Sequence, residues 1–161
     1  MLEKIPLNSI VFVDSNIFIY HFLDVSEYCT DFLERIELKE IEAYTSTVVL
    51  AEVLHRLMIA EVVEKYDVKP GRAIKYLKEK PEIIPALEKC EIAIKEIPEF
   101  RVKILSISPE TIFQSKNLRK KYNMLTNDSL NLCVMKANGL NEIATNDSDF
   151  DRVDWVKVWK P

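Results

Sequence analysis

Four acidic residues of this chain stand where a carboxylate can take part in chemistry. The chain has 26 Asp and Glu residues, and most lie beside Lys or Arg on helical stretches, where a solvated charged face explains them. The exceptions follow predicted strands or lie near predicted helix starts: Asp14, Glu52, Asp128 and Asp147. Glu52 lies in a mostly apolar stretch, where an unpaired buried carboxylate costs several kcal/mol. It therefore needs a partner such as a cation.

Carboxylates that converge repel one another, so this set makes physical sense mainly around a hard divalent cation with oxygen ligands. Mg²⁺ or Mn²⁺ fits best. Such an ion activates a water, orients a phosphodiester and stabilises charge on the leaving oxygen, so these residues predict phosphodiester hydrolysis. Simpler explanations exist for single residues. Asp14 could cap the next helix, and Asp128 could be a charge favoured by the helix dipole. Glu52 could form an ion pair with Arg56, and Asp147 could belong to a turn.

These side chains can meet only if the chain folds into layers. Ile10–Val13 is a short, continuous apolar run, as in a parallel strand buried on both faces. Further strands are predicted over Glu42–Thr45, Val102–Ile107, Glu142–Thr145 and Trp155–Val158. Helices are predicted over Asn16–Leu23, from near Ser26, from Ser46 or Thr47, over Pro109–Tyr122 and over Asn127–Asn138. The alternation predicts an α/β protein: a three-layer α/β/α fold with a central, mostly parallel five-stranded sheet. Such sheets bind ligands at the carboxyl ends of their strands.

Length and composition predict one folded domain over residues 1–161, because the chain is 48% hydrophobic and 30% charged and has no low-complexity tract. From Arg72 to Ile97 the pattern is helical but interrupted at Pro81 and Pro85, which predicts a helical extension at about 68–98. The longest nearly uncharged stretch, Tyr44–Ala51, is too short to span a membrane. We expect a cytoplasmic protein with no membrane partner.

The net charge of −4 gives no bulk attraction to nucleic acid, so any RNA must be held locally. The basic run Lys116–Tyr122 could hold RNA phosphates or be an ordinary solvated face. Four aromatic residues at helical spacing are interpreted as core or subunit contacts: Tyr20, Phe22, Tyr28 and Phe32. The three cysteines form no C-x-x-C pair and predict neither a disulfide framework nor a zinc site.

Four short motifs resemble the PIN-domain nuclease family in their order and approximate spacing. They are Val13-Asp14-Ser15-Asn16-Ile17, Ser46-Thr47-x-x-x-Ala51-Glu52-Val53, Asn127-Asp128-Ser129-Leu130-Asn131-Leu132 and Ala144-Thr145-Asn146-Asp147-Ser148-Asp149-Phe150. The resemblance covers about Ile10 to Val158. It implies five parallel strands, a metal site of three or four acidic residues, and single-stranded RNA as the usual substrate. By its size the chain looks most like the VapC-type toxins, which are generally homodimeric and are neutralised by a small antitoxin.

The resemblance also assigns site residues. Asp14, Glu52 and Asp128 match the most constant metal ligands of the family. Asp147 matches the fourth, more variable ligand, for which Asp149 competes. The polar positions that orient ligands or water in the family are matched by Ser15, Asn16, Thr145 and Asn146. The chain departs from the compact toxins in the longer segment between Glu52 and Asp128.

The leading interpretation is a Mg²⁺- or Mn²⁺-dependent endoribonuclease that acts on single-stranded or structured RNA as the toxin of a VapBC-type pair. One alternative is a PIN-domain RNA-processing nuclease without an antitoxin. Another is a non-catalytic module that binds RNA or protein. A phosphatase that forms an aspartyl phosphate on Asp14 is disfavoured, because Asn16 stands where that chemistry needs a second Asp.

Overall fold

Strand β1 (Ile10–Val13) lies at the centre of a five-stranded parallel sheet in the computed structural model, which describes residues 1–161. The strand order is β3-β2-β1-β4-β5. The other strands are β2 (Glu42–Ser46), β3 (Lys103–Leu105), β4 (Glu142–Ala144) and β5 (Lys157–Trp159). Val11, Phe12 and Val13 are 0% exposed, as a strand covered on both faces requires. The prediction that this strand is buried on both faces is therefore confirmed, and every strand pair is parallel.

Seven α-helices flank the sheet and complete the predicted three-layer α/β/α fold. They are α1 (Ser15–Phe22), α2 (Glu27–Glu37), α3 (Thr47–Tyr66), α4 (Ala73–Glu79), α5 (Lys89–Glu96), α6 (Pro109–Tyr122) and α7 (Thr126–Ala137). The predicted bounds were wrong by a few residues, most of all for the two edge strands. β3 is shorter than the predicted run, and β5 begins two residues later and ends one residue later. An edge strand pairs with a neighbour on one side only. Its pairing can therefore stop before its apolar run ends, and the rest of the run lies in a loop.

The segment between α3 and β3 contains two short α-helices, α4 and α5, separated by a 3₁₀ segment at Pro81–Ala86. Pro81 and Pro85 lie in that segment, where a missing N–H and a fixed φ prevent a continuous α-helix. Ala73, Leu77 and Cys90 from this segment are buried in the same hydrophobic cluster as β1. We infer from this shared core that residues 1–161 form one domain with a helical extension at about 68–98.

A buried carboxylate fastens this extension to α3. Glu61 is 6% exposed, and its two oxygens accept the backbone N–H groups of Glu88 and Cys90, each at 3.0 Å. These groups lie at the start of α5, where backbone N–H groups have no partner within the helix. Glu61 therefore satisfies two donors and also places a negative charge at the positive end of the helix.

Glu61→Ala is expected to lower the free energy of unfolding by about 2 kcal/mol, because one buried and one partly buried backbone donor lose their acceptor. Urea unfolding followed by circular dichroism measures the change. Glu64→Ala is the matched control, since Glu64 lies on the same helix but forms only an exposed ion pair with Lys89, which contributes little. Equal losses in the two variants would contradict the anchoring role of Glu61.

None of the helices combines the length and the apolar character needed to cross a membrane.

Candidate metal centre and nucleic-acid interface

The four predicted carboxylates line one cleft of about 270 Å³ at the carboxyl edge of the sheet. Asp14 directly follows β1, and Asp147 lies in the loop after β4. Glu52 is on the second turn of α3, and Asp128 is on the first turn of α7. Parallel strands end at the same edge, and the helices that follow begin there. This topology explains how residues far apart in sequence share one cleft.

Asp14 is the most tightly held of these residues. One carboxylate oxygen accepts the backbone N–H of Ser15 at 2.8 Å, so Asp14 also caps α1. The other oxygen accepts the side-chain amide of Asn16 at 2.8 Å and the hydroxyl of Thr145 at 2.6 Å. The capping explanation and the site interpretation are thus compatible. The carboxylate is fixed in one orientation and is only 5% exposed.

Thr145 and Asn16 connect Asp14 to the loop that carries Asp147. The Thr145 hydroxyl accepts the backbone N–H of Asp147 at 2.9 Å, and the Asn16 carbonyl oxygen accepts the backbone N–H of Asn146 at 2.9 Å. Lys160 donates to the backbone carbonyl of Asp147 at 2.7 Å. The polar residues that the sequence analysis predicted to orient ligands therefore form one network beneath the cleft.

Thr145→Val is expected to reduce any metal-dependent activity of the cleft by about 10- to 100-fold, because it removes the hydroxyl that orients Asp14. The expected cost in unfolding free energy is about 1–3 kcal/mol. Thr45→Val is the matched control. Its buried hydroxyl donates to the backbone carbonyl of Val13 at 2.9 Å but does not contact the Asp14 carboxylate. Activity assays and urea unfolding of both variants test this assignment. A similar loss of activity in Thr45→Val would contradict it.

A second buried hydrogen bond joins the helices that carry Glu52 and Asp128. The Ser46 hydroxyl donates to the side-chain carbonyl of Asn131 at 2.7 Å and accepts the backbone N–H of Val49 at 3.2 Å, which caps α3. Ser46 is 0% exposed and Asn131 is 1% exposed. The relative placement of α3 and α7 at the cleft is therefore fixed by polar contacts inside the protein.

The electrostatics of the cleft favour a bound cation. Burial, together with the charges of Glu52 and Asp147, raises the pKa of Asp14 to about 6. Burial and then the charges of the neighbouring carboxylates raise the pKa of Asp128 to about 6. One carboxylate oxygen from each of Asp128, Asp147 and Asp149 lies within 4.8 Å of the others. A set of crowded oxygen donors with excess negative charge fits Mg²⁺ or Mn²⁺ and fits no soft metal.

Asp147 and Asp149 both bring an oxygen close to Asp128, but their surroundings differ. Asp147 lines the cleft with Ser15, Asn16 and Asn146, whereas Asp149 does not. Asp149 forms an ion pair with Arg152 at 3.0 Å, and its backbone N–H donates to the Asp147 carboxylate at 2.8 Å. Asp149 is therefore next to the cleft and partly neutralised.

Two polar residues line the cleft without having been predicted there. The sequence predicts Tyr20 as a core or subunit contact, and it offers Arg56 only as an alternative partner of Glu52. Arg56 forms no ion pair with Glu52. Helical spacing was the available signal, because Tyr20 follows Asn16 by four residues and Arg56 follows Glu52 by four. The basic run of α6 does not line the cleft.

Comparison with known proteins agrees with this geometry. The family model described as PIN domain matches residues 11–156. Ribonuclease VapC2 of Methanocaldococcus jannaschii is 32% identical over 149 residues, which cover 92% of this chain and 91% of that protein. The crystal structure of VapBC2 from Rickettsia felis, bound to a DNA fragment from its promoter, has a TM-score of 0.63 and 18% identity, with 94% of this chain and 98% of that chain covered.

The crystal structure of Mycobacterium tuberculosis VapC20, a Sarcin-Ricin loop cleaving toxin, has a TM-score of 0.61 and 15% identity, with coverage of 91% of this chain and 96% of that chain. At such identities the two structures show a shared fold. The family match extends from β1 to the residue before β5 and so includes all four carboxylates of the cleft. The sheet order, the acidic cleft and the matched sequence thus agree, and the chain belongs to the PIN domain family.

Proposed function

We propose that this protein is a divalent-metal-dependent endoribonuclease that hydrolyses phosphodiester bonds of single-stranded RNA. The observation that carries the proposal is the convergence of Asp14, Glu52, Asp128 and Asp147 on one cleft. The match to a ribonuclease along 92% of the chain supports the same activity. A non-catalytic module has no physical reason to keep repelling carboxylates together.

These four carboxylates would hold Mg²⁺ or Mn²⁺, and the ion, when bound, would supply Lewis-acid activation of the phosphodiester and of water. The chain's own residues contribute preorganisation. The three hydrogen bonds to Asp14 fix its carboxylate, and the Ser46–Asn131 bond holds α3 and α7 together. Substrate binding therefore requires little rearrangement of these groups.

The direct test is incubation of the purified protein with end-labelled single-stranded RNA in Mg²⁺, in Mn²⁺ and in EDTA. We expect internal cleavage with at least one ion and none in EDTA. An RNA duplex of the same sequence is expected to be cut more slowly, because its backbone is held in the helix. Absence of cleavage with both ions would contradict the proposal and favour the non-catalytic alternative.

We further propose that the protein is the toxin of a VapBC-type pair, and that it is neutralised by a small antitoxin. The similarity to Ribonuclease VapC2 and to VapBC structures supports this role. The homodimeric state that the resemblance implies, and the cytoplasmic location expected from the sequence, belong to the same proposal. A small neighbouring reading frame, whose product binds the protein and suppresses cleavage, would support the toxin role. Its absence would favour an RNA-processing nuclease.

A further inference from the structure

Arg56 provides the only positive charge that lines the acidic cleft. Its side chain is exposed and takes part in no ion pair. The guanidinium is therefore not engaged in a direct ion pair with any carboxylate of the cleft. It is free to bind an anion that enters the cleft.

Helices α1 and α3 form two walls of the cleft and set the direction in which it extends. Helices α1 and α3 both begin at the carboxyl edge of the sheet and pack against each other. At the edge the walls carry Asn16 and Glu52, and one turn further they carry Tyr20 and Arg56. One helical turn advances about 5.4 Å. The cleft thus passes from an acidic end to an end with one cation and one aromatic ring.

Tyr20 lines the same cleft as Arg56. Its hydroxyl accepts a hydrogen bond from the side-chain amide of Asn146 at 3.0 Å, and the backbone N–H of Asn146 donates to the side chain of Asn16. The Tyr20 side chain is therefore tied to the loop that carries Asp147.

We propose that Arg56 binds a phosphate of the RNA next to the one that is cut, and so positions the strand across the acidic cleft. This phosphate subsite rests on the proposed nuclease function. A guanidinium binds phosphate through two parallel hydrogen bonds, and a chain with net charge −4 needs such a local contact to hold RNA. Without Arg56, no side chain that lines the cleft would offer the strand a positive charge.

The test compares Arg56→Gln with Arg56→Lys and with Arg72→Gln. Arg72 is exposed in the 3₁₀ turn Pro70–Arg72, beyond the far end of α3, so its replacement changes the net charge equally without changing the cleft. In steady-state cleavage of single-stranded RNA, Arg56→Gln is expected to raise KM about tenfold, with a smaller effect on kcat. Arg56→Lys should recover part of the loss, and Arg72→Gln should match the wild type.

Binding supplies a second measurement that does not depend on cleavage. In the Asp14→Asn background, the affinity for a fluorescent single-stranded RNA is measured by anisotropy in Mg²⁺ across a range of salt concentrations. Adding Arg56→Gln should weaken binding and reduce the slope of log affinity against log salt by about 0.7, the loss of one phosphate contact.

Three results would overturn this assignment: an unchanged KM and salt slope in Arg56→Gln, a fall in kcat with KM unchanged, or an equal effect of Arg72→Gln. A wild-type protein that neither cuts nor binds RNA would instead overturn the proposed function, and this subsite with it. Urea unfolding verifies that the exposed substitutions leave the fold intact.

Discussion

Replacing Asp14, Glu52 or Asp128 by the corresponding amide is expected to abolish nearly all RNA cleavage. Each substitution removes one negative oxygen from the proposed ligand set and keeps the size of the side chain. The loss of about 4 kcal/mol of transition-state stabilisation corresponds to a rate on the order of a thousandfold lower. Single-turnover cleavage of labelled RNA in Mg²⁺ or Mn²⁺ measures the effect.

Asp31→Asn is the matched control for this prediction, because Asp31 is exposed on α2 and forms no ion pair. It should cut RNA as the wild type does. Equal residual activity in every variant would indicate a contaminating ribonuclease. Full activity in Asp14→Asn or Asp128→Asn would contradict the metal centre.

The same assay distinguishes Asp147 from Asp149. We expect Asp147→Asn to lose more activity than Asp149→Asn, because Asp147 lines the cleft while Asp149 pairs with Arg152. The reverse order would assign the fourth position to Asp149.

The second large effect is a reversal in which of two proteins is more stable: Asp128→Asn in the absence of metal, and the wild type in its presence. In EDTA at pH 8, Asp128→Asn is expected to be more stable than the wild type by about 1–2 kcal/mol, a value reduced for partial solvent screening. The amide removes one of the repelling charges, and the Asp128 carboxylate accepts no hydrogen bond that the substitution would break. With saturating Mn²⁺ the order should reverse, because a ligand of the folded state stabilises it.

The sign of the pH dependence follows from the pKa of Asp128. Its pKa is about 6 in the folded protein against an ordinary value of 3.8, so the folded state binds the proton more tightly than the unfolded state does. This group therefore costs nothing below about pH 3.8, destabilises increasingly between pH 4 and pH 6, and has its full effect above pH 6. The advantage of Asp128→Asn in EDTA should grow over that range and then level off.

Urea unfolding at pH 5 and pH 8, in EDTA and in Mn²⁺, measures both parts of this prediction. Asp31→Asn again serves as the control and should show neither the gain in EDTA nor the reversal. A wild-type protein whose stability is the same in EDTA and in Mn²⁺ would contradict a metal site in the folded state.

Sequence reasoning was most successful where local pattern and topology agree. The apolar run Ile10–Val13 predicted a buried central strand, and Asp14 after it was placed at the carboxyl edge. Because parallel strands share that edge, the meeting of distant carboxylates followed from the fold class alone. Four motifs in the order typical of the family support a shared carboxylate site more strongly than any single motif does.

The features that the sequence could not predict depend on contacts between distant residues. The hydrogen bonds of Thr145 to Asp14 and of Ser46 to Asn131 join positions that no local periodicity relates. Arg56 and Glu52 are four residues apart, which allows but does not require an ion pair. Only the packing of α1 against α3 reveals that the Arg56 side chain belongs to the cleft. Edge-strand bounds failed because pairing, and not composition, ends a strand.

The network beneath the cleft links Asp14 to Thr145, residues 131 positions apart. During synthesis on the ribosome, β1 and α1 emerge well before their partner strand β4 and the loop that follows it. Until those segments leave the exit tunnel, Asp14 lacks the Thr145 hydroxyl and the cleft lacks Asp147. The cleft therefore assembles only after the chain has been made as far as the loop beyond β4, however early β1 and α1 fold.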